Sequence, residues 1–153
     1  ETAAKALKIS ALRDATLEQL DEAQSALDPV VYRRARHVIT ENERTLAAAD
    51  ALANNQLTRL GELMAASHRS LRYDFEVTVP AIDALVQIVS DALDGHGGVR
   101  MTGGGFGGCI VAVTPTEHVP AIEAAVENLY EETTGNRADI FICRAAAGAS
   151  VIS

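Results

Sequence analysis

Arg100-Met101-Thr102-Gly103-Gly104-Gly105-Phe106-Gly107-Gly108-Cys109 decides how the chain is read, because five of its 11 glycines fall in this one stretch. Glycine loses more conformational freedom on folding than any other residue. A cluster of glycines therefore marks a backbone that turns with positive φ or that something approaches closely. Gly103, Gly105 and Gly108 match the dinucleotide pattern G-x-G-x-x-G, but that pattern needs a helix after the loop to hold the pyrophosphate. Here Cys109-Ile110-Val111-Ala112-Val113 follows and reads as a buried strand. No Lys-Ser or Lys-Thr pair follows, which also excludes the Walker loop. The stretch is a glycine-rich loop between two strands.

Working outward, the second half of the chain mixes strands with one helix. Residues 99–101 and 109–113 flank the loop as strands. Pro115 and Glu117 lead into a helix whose apolar positions are Val119, Ile122, Val126 and Leu129, stopped by Gly135. Residues 139–143 read as a strand apolar on both faces, and Gly148 turns into a last strand over 149–152. The first half reads helical. Thr16-Leu17-Glu18-Gln19 has the form of a capping box with Leu17, Leu20 and Ala23 on one face. After Pro29, residues 31–53 carry Ala35, Val38, Ile39, Leu46, Ala49 and Leu52 at helical spacing, opposite Arg36, Glu43 and Asp50. Asn54-Asn55 stops that helix. Leu57, Leu60, Met64, Ser67 and Leu71 form the stripe of a second helix, antiparallel to the first. Residues 75–79 are an extended connection. Pro80 opens a helix with Ile82, Leu85, Val86, Val89 and Leu93, ended by Asp94-Gly95-His96-Gly97-Gly98. Helices and strands without regular βαβ alternation indicate an α+β fold.

Bulk composition bounds the function. The chain has 153 residues, enough for one domain with a proper core. A formal net charge of −8 argues against a nucleic-acid backbone binder, which needs a basic face. It does not exclude ATP, because a glycine loop binds phosphate through backbone N–H groups. No run approaches the ~18 apolar residues of a membrane span, and no secretory leader is visible. Cys109 and Cys143 lie in apolar runs without a partner at metal-ligand spacing, so both are expected as buried free thiols in a reducing cytoplasmic compartment.

Residue by residue, the chemistry is sparse. The glycine run serves either a wide turn or close approach of a phosphate or sugar, and the residues alone leave both open. Phe106 is expected to plug the loop by packing, and Thr102 to bond its own backbone or offer a hydroxyl to phosphate. His37, His68, His96 and His118 fall in separate segments and are expected at the surface or at caps, with no metal site. Ser67-His68-Arg69-Ser70 places serine beside histidine without a nucleophile elbow, so hydrolysis is disfavoured. Arg33, Arg34, Arg36, Glu41, Glu43 and Arg44 read as a mixed-charge solvated or interdomain helix face. Asp74, Glu76 and Asp83 are acids near a helix start, where the helix dipole favours them.

The loop resembles the third signature of the GHMP small-molecule kinases, in the form used by galactokinases. Arg34-Ala35-Arg36-His37-Val38-Ile39-Thr40-Glu41-Asn42 resembles their long-helix segment. Glu62-Leu63-Met64, Ser67-His68, Ser70-Leu71-Arg72, Asp74-Phe75-Glu76-Val77-Thr78-Val79-Pro80 and Ile82-Asp83 resemble the segments that follow, and Gly148-Ala149 resembles the end. The resemblance spans essentially the whole chain. One departure is Tyr73, where family members commonly carry the first of two acids.

This resemblance implies a GHMP-kinase C-terminal domain over residues 1–153. Its ferredoxin-like antiparallel sheet, within the sheet-rich part at about 95–153, would pack with helices and follow a helical part at about 1–94. It also implies a parent enzyme that transfers the γ-phosphoryl of MgATP to the C1 hydroxyl of galactose in the cytoplasm. Thr102, Gly103, Gly104, Gly105, Phe106, Gly107 and Gly108 would border the ATP and substrate cleft. The catalytic residues, and most of the contacts to ATP and Mg²⁺, would belong to an N-terminal lobe that this chain does not contain. The start at Glu1, without Met and inside helix-like sequence, fits that expectation. The isolated chain is therefore expected to be inactive, its partners being the sugar, MgATP and the other lobe, with no nucleic acid and no membrane. A non-catalytic sugar and ATP sensor of the same fold, a kinase of a related sugar, and a stand-alone ligand-binding module are the alternatives.

Overall fold

A computed structural model gives the structure of residues 1–144 and 146. Six helices and one hairpin make up the described residues: α1 Thr2–Ala6, α2 Leu17–Glu22, α3 Pro29–Ala53, α4 Leu57–Ser70, α5 Pro80–Leu93, β1 Gly98–Thr102, β2 Cys109–Val113 and α6 Val119–Thr134. The helix starts follow from local chemistry. Thr16 and Gln19 close a reciprocal capping box on α2. Asp28 accepts the N–H groups of Val30 and Val31 at the start of α3, where Pro29 needs no donor. Gly135, at φ 70°, ends α6. No helix among the described residues is long and apolar enough to cross a membrane.

β1 and β2 pair antiparallel from Gly98 opposite Val113 to Thr102 opposite Cys109. The hairpin rests on α4 and α5. Leu85, Val86, Val89 and Leu93 of α5 pack with Val99 and with Ile122, Val126 and Tyr130 of α6. A second cluster joins Ala3, Leu20, Ala35 and Ile39 at the other end of the chain. Between them, Ala51 meets Leu60, Leu63 and Met64 across the α3–α4 contact. Leu71, Ile82 and Met101 form a fourth cluster directly under the end of β1. The architecture is α+β with an antiparallel sheet, as the sequence implied.

Several local expectations are corrected. Leu46, Leu52 and Leu129 are exposed, and α3 instead turns Ala47, Ala48 and Ala51 to α4. Small side chains let the two helices approach closely, which leaves the leucines on the outer flank. The apolar β2 is not a buried strand: only Ile110 packs inward, because the strand has β1 on one edge and nothing on its outer face among the described residues. Residues 139–143 form no strand and expose Ile140, Phe141 and Ile142. They are apolar on both faces but have no ladder partner among the described residues. Cys109 and Cys143 are both exposed thiols, not buried ones. The expected last strand at 149–152, with Gly148, lies outside the described residues.

The α4–α5 connection also differs from an extended link. Residues Leu71–Phe75 continue α4 as one π-helical turn, and Glu76 then reverses the chain in the left-handed region at φ 55° and ψ 48°. A non-glycine residue there is uncommon and its backbone is strained. The reversal aims the following residues at the hairpin.

Candidate functional site

The hairpin ends in a loop whose backbone only glycine adopts freely. Gly103, Gly105, Gly107 and Gly108 have φ of 93°, 87°, 135° and 94°, and Phe106 joins them at 60°. Gly104 alone has an ordinary φ and open space around its missing Cβ. Among the described residues, one backbone hydrogen bond ties the loop to the body of the protein. The Phe106 N–H donates to the Val77 carbonyl at 2.7 Å. Beside it, a Cβ on Gly105 would lie 2.7 Å from both the Cβ and the carbonyl oxygen of Val77. Close approach of backbone to backbone is therefore one physical reason for the glycines here.

The remaining loop amides have no backbone partner among the described residues. Gly103, Gly104, Gly105, Gly107 and Gly108 donate no backbone hydrogen bond to any described residue. Gly105 through Gly108 run at positive φ in succession, and glycine N–H groups left without a partner on such a turn can receive an anion. Thr102 stands exposed at the mouth, and its hydroxyl makes no hydrogen bond among the described residues. Phe106 is 75% exposed, so it does not plug the loop. Held left-handed with its amide committed to Val77, it has its ring turned outward.

The strand feeding the loop is pinned from two helices. His68, on α4, accepts the Met101 N–H at Nδ1, 3.3 Å away. Arg100 donates Nε–H to the Met101 carbonyl at 3.0 Å and reaches Glu41 of α3 at 3.3 Å. Glu41 also accepts from Ser67 Oγ at 2.5 Å and from Arg44 Nε at 2.8 Å. Burial pushes the Glu41 carboxyl up, but the Ser67 hydroxyl, Arg44 and Arg100 together hold it below the ordinary glutamate value. Ser67 is thus a donor to Glu41 and His68 is occupied by backbone, which gives structural grounds against a Ser–His nucleophile.

The histidines and the charged face depart from expectation. His37 and His68 are buried, and both are pushed below the ordinary histidine value of 6.5 by burial, against the pull of Glu41 on one and Asp83 on the other. His68 Nε2 lies 3.3 Å from Asp83, whose other oxygen pairs with Arg72 at 3.1 Å. His96 and His118 stack at 4.3 Å, although 22 positions apart in sequence. Arg33, Arg34, Arg36, Glu41 and Arg44 are not a merely solvated face: each is engaged with Asp74, Glu76, Ser67 or Arg100, or with one another. The pairings of Arg33, Arg34 and Arg36 with Asp74 and Glu76 span about forty residues, and local periodicity carries no trace of them. No cluster of three metal-ligating side chains occurs among the described residues.

A pH dependence follows from the two buried rings. The unfolded chain takes up protons at these histidines before the native chain does. Stability is therefore fully present above pH 6.5 and falls as the pH drops through and below that value. A proton on His68 Nδ1 would also face the Met101 N–H and break that bond. The midpoint of thermal unfolding should be lower at about pH 5.5 than at about pH 8. The double variant His37→Gln, His68→Gln should flatten the slope, and an equal slope in both proteins would rule this account out. Glu41 acts lower on the scale, since its contribution is lost only as pH falls through its depressed value.

Comparison with known proteins converges on the same region. The model of the GHMP kinases C-terminal family matches residues 48–132, more than half of the chain, and the match includes the loop. Among solved structures, the crystal structure of Lactococcus lactis galactokinase complexed with galactose is similar. The TM-score is 0.79 and identity is 38% over 88% of this chain and 36% of that one. The chain therefore spans about a third of the length of that galactokinase.

Proposed function

Because the chain belongs to the GHMP kinase family, we propose that its glycine loop is the phosphate-facing wall of an ATP-dependent sugar kinase, with galactose as the sugar. The observation that carries this reading is the set of five N–H groups, at Gly103, Gly104, Gly105, Gly107 and Gly108, that have no backbone partner among the described residues. They fit a polyphosphate, because donors fixed by the fold stabilise phosphate charge without reorganising. The galactose complex of the similar Lactococcus protein supports the choice of sugar.

When bound, MgATP supplies the γ-phosphoryl that the sugar C1 hydroxyl attacks in line. The loop residues of this chain bind and orient through backbone dipoles, and Thr102 adds one hydroxyl at the edge. They transfer no proton. The acids around β1 and the π-turn are already engaged: Glu41, Asp74, Glu76 and Asp83 each pair with an arginine. Deprotonation of the sugar is assigned to residues outside these 153. This division follows the pattern of phosphoryl transfer, in which positioning and charge stabilisation supply most of the rate.

The test is galactose-dependent release of ADP. The intact enzyme that carries this chain should give it, and the 153 residues alone should give none. Release of ADP by the verified isolated chain would overturn the division of labour. Binding of galactose and ATP by the intact protein without turnover would identify a sensor in place of a kinase.

A further inference from the structure

Charged groups are concentrated on the turn that follows α4. Arg34 of α3 donates from one nitrogen to the Asp74 carbonyl at 2.6 Å and from the other to Glu76 Oε2 at 2.7 Å. Arg33 reaches the second Glu76 oxygen at 3.2 Å. Arg36 donates to Asp74 Oδ1 at 2.9 Å. The other Asp74 oxygen accepts from Ser70 Oγ at 2.9 Å, and Ser70 lies 3.0 Å from His37 Nδ1. With the serine proton committed to Asp74, His37 Nδ1–H is the donor to Ser70. The His37 ring in turn stacks on Phe75, with centroids 4.5 Å apart.

Most of these ion pairs are partly exposed, and such pairs add little to global stability. Their common target is more telling. All converge on the π-turn Leu71–Phe75 and on Glu76, the residue held left-handed. A strained backbone persists where its surroundings over-determine it, and such sites cluster around ligand clamps. The residue after Glu76 is Val77. Its N–H donates back to the Leu71 carbonyl at 3.1 Å, while its own carbonyl accepts the Phe106 N–H. Val77 is also what closes on Gly105. The chain of contacts runs from α3 through the turn to the middle of the glycine loop.

We propose that the latched π-turn sets the position of the glycine loop, so that Arg34, Asp74 and Glu76 are positioning residues acting through the Val77–Phe106 hydrogen bond. This rests on the reading of the loop as the phosphate-facing wall of the kinase. The turn acts as a strut: α3 fixes Asp74 and Glu76, these fix Val77, and Val77 fixes the loop at its centre. The two ends of the loop are already tied by the Thr102–Cys109 rung of the hairpin. Without the strut, the loop would pivot on that rung.

The experiment measures amide exchange at Phe106 by NMR in the intact protein, alongside kinetics with galactose and ATP. Arg34→Gln and Asp74→Asn should each speed exchange at Phe106 by about tenfold or more while Val89 in α5 keeps its protection. The same variants should lower kcat/KM for ATP by about tenfold or more with the KM for sugar unchanged. Arg36→Gln removes only the exposed arm on Asp74, and it serves where Asp74→Asn fails to fold. Unchanged exchange at Phe106 overturns the strut, whatever the activity. Faster exchange with unchanged kcat/KM overturns the positioning role. A wild-type protein that phosphorylates no sugar overturns the kinase reading, and the exchange result then still decides whether the turn holds the loop.

Discussion

Gly61→Val should destabilise the chain by about 3 kcal/mol or more, the upper end for overpacking, because its clash is with backbone and not with a side chain. Glycine inside a helix costs up to about 1 kcal/mol relative to alanine, so its presence in α4 needs a reason. The reason is distance. A Cβ on Gly61 would lie 2.0 Å from the Gly97 carbonyl oxygen and 2.9 Å from its carbon, and a Cβ on Gly98 would lie 2.6 Å from the Gly61 Cα. Helix backbone thus rests directly on strand backbone, and no rotamer relieves the contact. The cost extends to the site, since α4 carries His68, which accepts from the strand that enters the loop, and Ser67, which donates to the Glu41 that Arg100 of that strand reaches. Urea unfolding followed by far-UV circular dichroism checks this. Gly95→Val is the control, having positive φ but open surroundings, and its loss should be limited to backbone strain of about 1 kcal/mol. A Gly61→Val protein as stable as wild type would mean that α4 can ride higher on the hairpin without consequence.

The parts of the fold that were legible in the sequence are those where one element fixes its own surroundings. In α5 every apolar position at helical spacing, from Ile82 to Leu93, is buried, because the helix is covered by β1 on one side and α6 on the other. The capping box of α2, the Asn54 stop and the Gly135 cap are local hydrogen-bond chemistry and read directly. Elsewhere hydropathy identified apolar residues but not which of them have a neighbour. Leu46 was expected inside and Ala47 was not singled out, yet the alanine is the contact, because α4 approaches too closely for leucine. Apolar β2 and residues 139–143 failed in the same way, since a continuous apolar run suggests a buried strand and says nothing of whether its faces are covered.

The candidate site divides along the same line. The glycines announced a loop with positive φ, and the structure places it at the tip of the hairpin. The support behind it was not legible. Arg34 and Asp74 are unremarkable in their own helical windows, and only the fold brings α3 against the π-turn. The π-turn itself has no sequence signature among the signals used, so residues 75–79 read as extended where Glu76 in fact reverses the chain. A signal was present in the excess of arginine at 33, 34 and 36, a cationic density greater than one solvated helix face requires. Finding its partners took tertiary structure.

Gly104→Val separates the two reasons for a glycine in this loop, and it should lower kcat/KM for phosphoryl transfer by about 100-fold or more. At Gly105 a side chain meets Val77 at 2.7 Å and φ is 87°, so a substitution there damages fold and site together. Gly103, Gly107 and Gly108 likewise need positive φ. Gly104 has neither constraint: its φ is not positive and nothing lies within 4 Å of the added Cβ. The variant should therefore keep its stability within about 0.5 kcal/mol, as surface substitutions usually do. Whatever it loses in activity reports on something that approaches from outside the protein, which on the proposed reading is the phosphate chain of ATP. Urea unfolding and steady-state kinetics on one preparation give both numbers. Normal stability with a large fall in kcat/KM puts the phosphates against this backbone. Normal stability with unchanged kcat/KM removes the loop from the site, and the five glycines then serve the hairpin turn alone.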